Sequence, residues 1–122
     1  MLNLKGRTEF TALNTINLVL AAFLFVSPWL LGFQEVQSAS WNAWACGLAI
    51  AILAGAALND LREWEEWTNA ALGLWVAIAP WALGFAALTT AMWTHVGVGL
   101  AVAVLAAIEL WLLHGNPPAR AA

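Results

Sequence analysis

Four apolar runs constrain this chain more than any other feature. They cover about 12–33, 41–58, 67–85 and 92–113. A bilayer's hydrocarbon core is ~30 Å thick and an α-helix rises ~1.5 Å per residue, so a span needs roughly 20 apolar residues. Only 9% of the 122 residues are charged and 63% are hydrophobic, which leaves too little polar surface to coat a soluble domain of this size. The spacing predicts an all-α bundle of four transmembrane helices, one membrane domain over 1–122.

Orientation follows from the basic residues. Lys5 and Arg7 precede the first run, Arg62 lies between the second and third, and Arg120 follows the fourth. The connections at 34–40 and 86–91 hold no Lys or Arg. The positive-inside rule then places both termini in the cytoplasm, on the same side of the bundle. The first run is long and ends in Pro-Trp with no clear small-residue cleavage site, so it reads as a span and not as a secretory signal.

The chain also repeats itself. Ser27-Pro28-Trp29-Leu30-Leu31-Gly32-Phe33 returns as Ala79-Pro80-Trp81-Ala82-Leu83-Gly84-Phe85, fifty-two residues later. The same offset pairs Asn17 with Asn69, Trp41 with Trp93 and Gly47-Leu48-Ala49 with Gly99-Leu100-Ala101. Roughly four positions in ten agree between 17–58 and 69–110, and they include Pro, Trp, Gly and Asn as well as Ala and Leu. Repeat one covers about 13–60 and repeat two about 65–112. Each holds two spans, an even number, so both hairpins enter from the same side. A pseudo-twofold axis along the membrane normal relates them.

The paired Pro-Trp-x-Leu-Gly-Phe segments, with Ser before the first Pro, resemble the SPW-repeat family of small bacterial and archaeal membrane proteins. Trp64-Glu65-Glu66-Trp67-Thr68-Asn69 fits that family's acidic, Trp-rich lead-in. The second copy departs at Ala79, and the first lacks the acidic lead-in. The resemblance covers about 13–113. It implies a multi-helix integral membrane protein of the prokaryotic cytoplasmic membrane, and it carries no catalytic or binding residues over to this chain.

The motif has a local physical reading. Pro28 frees the carbonyl of Leu24, and Pro80 that of Val76. In lipid each needs another partner. The Ser27 hydroxyl is placed to supply one; Ala79 has none. Kinks are expected at both prolines. Gly32 and Gly84 permit left-handed exits from the helices, ahead of Phe33 and Phe85. Trp29, Trp41, Trp44, Trp81 and Trp93 are expected at the outer boundary, and Trp64, Trp67 and Trp111 at the inner one. Trp75 is nearer mid-span and needs a buried acceptor or a neighbouring protein.

Small residues recur at every fourth position on the second and fourth helices: Gly47, Ala51 and Gly55, then Gly99, Ala103 and Ala107. Such ridges let helix backbones approach closely. They are expected to face each other across the pseudo-twofold, or to face another chain. Asn17 and Asn69 are expected to bond to each other or to neighbouring backbone, with coordination of a polar solute as the alternative.

Glu109 lies about a turn inside the inner end of the fourth helix, where ionisable groups are functional suspects. Snorkelling or pairing with Arg62 competes with proton or cation handling. The acidic segment 59–67 reads as a solvated helix start capped by Asp60, or as a docking patch for a basic partner. His95 and His114 are separated by a helix of about 28 Å and cannot share a metal; His95 is expected at the interface, with ligation of a haem iron or a pigment magnesium by His95 alone as the alternative. No catalytic constellation, metal cluster, phosphate loop or dinucleotide motif is present in the sequence, and no cofactor is implied. Four basic residues argue against nucleic acid.

These features point to a non-catalytic structural or accessory membrane protein whose partners are the lipid bilayer and other transmembrane helices, its own or those of a larger complex. The alternative is a small oligomeric transporter or channel that uses the Pro-bearing helices with Asn17, Asn69 and Glu109.

Overall fold

The computed structural model describes residues 4–33, 35–59 and 63–115, with side chains for 10–33, 35–59 and 63–113. They form four helices: α1 (Leu4–Leu30), α2 (Gln37–Asn59), α3 (Glu63–Ala82) and α4 (Thr89–Gly115). No strand occurs among the described residues. Each helix starts before the apolar run that predicted it. The runs mark where lipid demands apolar side chains, whereas the hydrogen-bonded backbone continues into the polar boundary.

Three helices carry segments long and apolar enough to cross a bilayer: Phe10–Leu30, Gln37–Asn59 and Thr89–Leu113. α3 is shorter, at 20 residues, and holds Glu63, Glu65 and Glu66 in its first turn. At ~1.5 Å per residue it still measures about 30 Å. Its last turn joins a cluster of Phe33, Ala39, Ala79, Phe85 and Ala91, which gathers the end of α1 and the starts of α2 and α4. Its first turn faces the other end of α4, Glu66 against Glu109. α3 therefore runs the full depth of the bundle. The end carrying the two Pro-Trp segments is hereafter the motif end, and the other the acidic end.

The helices pack as an antiparallel ring. α1 pairs most closely with α2 and α3 with α4, while α1–α4 and α2–α3 contacts close the ring. α2 and α4 sit on a diagonal and barely touch. The expectation that the small-residue ridges face each other across the pseudo-twofold is therefore wrong. They serve the hairpins instead. A Cβ on Gly47 would lie 2.9 Å from the Ala21 carbonyl oxygen and 2.9 Å from the Phe25 nitrogen, both on α1. A Cβ on Gly99 would lie 2.6 Å from the Gly73 oxygen and against the Ala77 nitrogen, both on α3. These are equivalent positions in the two halves. Apolar burial drives no association inside lipid, so close backbone contact within each hairpin is where packing energy accumulates.

The remaining ridge residues differ among themselves. Ala51 packs at the edge of the core. Ala103 offers its backbone to Gly73, whose Cβ would lie 2.7 Å from the Ala103 nitrogen. Gly55 has open space around it, and Ala107 is exposed. Mid-depth, the centre of the ring is filled by Ala21, Leu24, Ala43, Cys46, Ile50, Val76, Val98 and Val102.

Candidate functional site

At the motif end, the two copies fold alike. The Phe33 N–H donates to the Pro28 carbonyl at 2.9 Å, and the Phe85 N–H to the Pro80 carbonyl at 2.8 Å. These bonds span five residues and require a left-handed residue inside the loop. Gly32 supplies it at φ 79° and Gly84 at φ 82°. Val36 then bonds back to Phe33 at 3.0 Å, and Leu88 to Phe85 at 3.0 Å. Both prolines lie within continuous helix, one turn before these exits. The Ser27 hydroxyl donates to the Leu24 carbonyl at 2.7 Å, the carbonyl that Pro28 deprives of its usual donor. Ala79 offers no such group to Val76. Ser40 adds a second tie in the first copy, its hydroxyl donating to the Phe33 carbonyl at 3.0 Å; Met92 holds the matching place in the second.

Trp29 and Trp81 point outward, 53% and 60% exposed. Trp29 stacks on Trp44 at 5.1 Å, and Trp41 meets Trp44 edge-on at 5.4 Å. His95 is fully buried inside the bundle at the motif end and lies 4.8 Å from the Phe85 ring and 6.3 Å from the Phe33 ring. Its Nδ1–H donates to the Ala91 carbonyl at 2.9 Å, while Nε2 has no partner. Its counterpart in the first half is Ala43, also fully buried, so the histidine inherits a core position. Trp75 finds the acceptor it needs across the α2–α3 contact, donating to Asn42 Oδ1 at 2.8 Å.

The acidic end holds the polar residues that the sequence singled out, together with two it did not. Asn14 and Asn17 lie on α1, Glu66 and Asn69 on α3, and Glu109 on α4; each is at most 1% exposed. Glu109 faces Glu66 on one side and Asn14 on the other. Asn14 donates its amide N–H to the Phe10 carbonyl at 3.0 Å, which leaves Oδ1 without a partner. The Glu66 and Glu109 carboxyls lie within hydrogen-bond reach of each other, placed to share a proton, and Asn14 lies within reach of Glu109. Asn69 bonds through neither side-chain atom, so the expected Asn17–Asn69 side-chain bond does not form. Among the described residues, no three of His, Cys, Asp and Glu are gathered to hold a metal ion. Arg62, the proposed partner of Glu109, and Asp60, the proposed cap, lie outside the described residues.

The family model of the SPW repeat domain matches residues 11–109. The chain belongs to the SPW repeat family. No curated protein and no solved structure matches it. With three helices apolar enough to cross a bilayer, this SPW protein is an integral membrane protein.

Two members of the acidic cluster escaped the sequence reading. Glu66 sits in a Trp-rich acidic stretch that looks like a solvated helix start, yet the helix turns it inward. Asn14 lies just outside the stretch that the repeat alignment covered. The fifty-two-residue offset carries the missing signal, because it pairs Asn14 with Glu66 as it pairs Asn17 with Asn69. Positions three apart share a helix face, so both pairs look the same way.

Proposed function

We propose that this SPW protein is a non-catalytic structural or accessory membrane subunit that works by packing against other transmembrane helices, in a homo-oligomer or a larger complex. The filled mid-depth interior carries this reading. Leu24, Ile50, Val76 and Val102 are fully buried there, so among the described residues apolar side chains separate the acidic cluster from the motif end. A single copy thus offers no polar path along its axis. The outward faces are apolar on every helix, with Val19, Ile52, Ile78 and Val104 each more than half exposed. Such faces meet lipid or another helix. The exposed Trp residues at both ends suit headgroup depth and fix the height of the bundle in the membrane. Under the positive-inside rule both termini are cytoplasmic.

Native mass spectrometry after mild-detergent extraction tests this, together with ion flux in proteoliposomes. The expected result is a defined homo-oligomer or a complex with other membrane subunits, with flux no greater than in empty vesicles. A lone chain that conducts ions contradicts it. The buried Asn17, Asn69 and Glu109 favour the second reading, a small oligomeric transporter or channel. In that case the polar route must run between copies.

A further inference from the structure

Glu66 on α3 and Glu109 on α4 meet where two separate charges do not fit. Each is 1% exposed, and their carboxyls lie within hydrogen-bond reach of each other. Ionised carboxylates accept hydrogen bonds and cannot donate one, so two of them in contact have nothing to join them. They also repel, and a dry interior screens them poorly. A single proton reverses this. It gives one carboxyl an O–H that donates to the other, and it halves the buried charge. The remaining charge has a donor at hand. Asn14 spends one amide hydrogen on the Phe10 carbonyl at 3.0 Å, and its amide carries a second within reach of Glu109. The neighbouring groups supply no rival positive charge among the described side chains, which include no Lys or Arg; their one histidine, His95, lies at the motif end. From α3, Glu65 presses its own negative charge on Glu66, and Glu63 shares the same first turn. From α2, Ala54 and Ala57 are buried and apolar. Asn17 and Asn69, one turn deeper on α1 and α3, are buried amides without charge.

We propose that Glu66 and Glu109 hold one proton between them, and that this proton fastens the acidic end, tying α3 to α4 and, through Asn14, to α1. The proton belongs to the pair and not to either residue. The fastening is a feature of one half. The fifty-two-residue offset sets Asn14 and Ala57 at the matching positions of the first hairpin, which has no carboxyl at either. Common packing of the two hairpins therefore does not require the pair. What the pair adds is sensitivity to pH. Above about pH 5.5 the carboxyls of an unfolded chain have given up their protons, while the folded pair keeps one. Folding then takes up a proton, so stability falls as pH rises, until the pair itself ionises. At that point the two carboxylates repel, and the junction of α1, α3 and α4 loses its tie. Mild acid closes the acidic end and alkali loosens it. This holds whether the protein serves as a scaffold or a transporter.

The test is unfolding of the full chain in detergent across pH, read by tryptophan fluorescence, with infrared spectra of the carboxyl C=O stretch. In Glu109→Gln the glutamine amide donates to Glu66 at every pH, so no proton is needed. Glu66→Gln does the same from the other side. Relative to either variant, the wild-type folding constant is expected to fall about tenfold per pH unit through the neutral range, the signature of one proton. Glu35→Gln, at the exposed motif end, keeps the wild-type slope. Infrared spectra of wild type at neutral pH are expected to show a protonated-carboxyl band that both glutamine variants lack. Should those variants not fold, the band is followed in wild type alone, where it is expected at neutral pH and lost in alkali as stability drops. Three results overturn the proposal. One is a wild-type slope equal to that of the glutamine variants. Another is the absence of a protonated carboxyl at neutral pH. The third is a stability that rises with pH through the neutral range and collapses in Arg62→Ala, which makes a guanidinium the tie between two ionised carboxylates.

Discussion

At the motif end, the Phe33-to-Pro28 bond is answered by the Phe85-to-Pro80 bond, 2.9 Å against 2.8 Å, with Gly32 and Gly84 at nearly the same φ. At the acidic end the same offset sets Glu66 against Asn14 and Glu109 against Ala57. Backbone exits from a helix in lipid have few solutions, because every freed carbonyl needs a partner. Both halves keep the same one. Polar side chains buried between the hairpins face no such local rule. They answer to each other across the interface, and a pair of carboxyls in one half only makes that interface chemically one-sided. The difference separates residues that build the fold from residues free to carry something else.

The largest expected effect tests what the halves share. Gly99→Leu and Gly47→Leu each drive a side chain into backbone of the facing helix. Each is expected to cost about 3 kcal/mol or more, enough to empty the monodisperse peak in size-exclusion chromatography. A large loss in one half with none in the other breaks the equivalence of the hairpins.

The next test bears on what they do not share. Ala57→Glu gives the first half the carboxyl that Glu109 gives the second. Ala57 is 6% exposed in α2. The variant is expected to lose about 2–4 kcal/mol in denaturant unfolding, as an uncompensated buried charge or a protonated group without a partner. Normal stability would mean that the acidic end accepts carboxyls anywhere, and the asymmetry loses its meaning.

Two smaller effects sharpen the account of the motif. Ser27→Ala copies the second half into the first and removes the bond to the Leu24 carbonyl. About 1 kcal/mol of stability is expected to go, measured by the same unfolding. Gly32→Ala and Gly84→Ala place a Cβ at positive φ with open space around it, so strain alone acts, and about 1 kcal/mol is expected from each. Unequal losses at the two glycines separate the copies where geometry says they match.

Much of this fold was legible in the sequence, and the reasons are physical. A hydrocarbon slab fixes helix length, so the four runs located four helices. Pro, Gly and the hydroxyl of Ser27 have narrow roles in lipid, so their spacing announced the exits and the bond to Leu24. Trp75 needed an acceptor and found Asn42. The ridges of Gly47 and Gly99 announced close contact, but not the direction of it. A small-residue stripe fits any neighbouring backbone, and which helix comes near depends on the ring order of the whole bundle. Glu66 was hidden because an acidic first turn looks the same in sequence whether it faces water or a core. The inward direction of His95 was hidden because a lone histidine carries no periodic signal, although its partner position, Ala43, was core all along.

The central claim is that two like-facing hairpins enter the membrane from one side. Accessibility of single cysteines to a membrane-impermeant thiol reagent tests it most directly. In a Cys46→Ala background, Glu35→Cys and Ala87→Cys probe the two motif loops, and Asn59→Cys probes the opposite end; all three positions are exposed. In intact cells, residues 35 and 87 are expected to label together while residue 59 reacts only after the membrane is opened. Labelling of 35 and 87 from opposite sides would contradict the account.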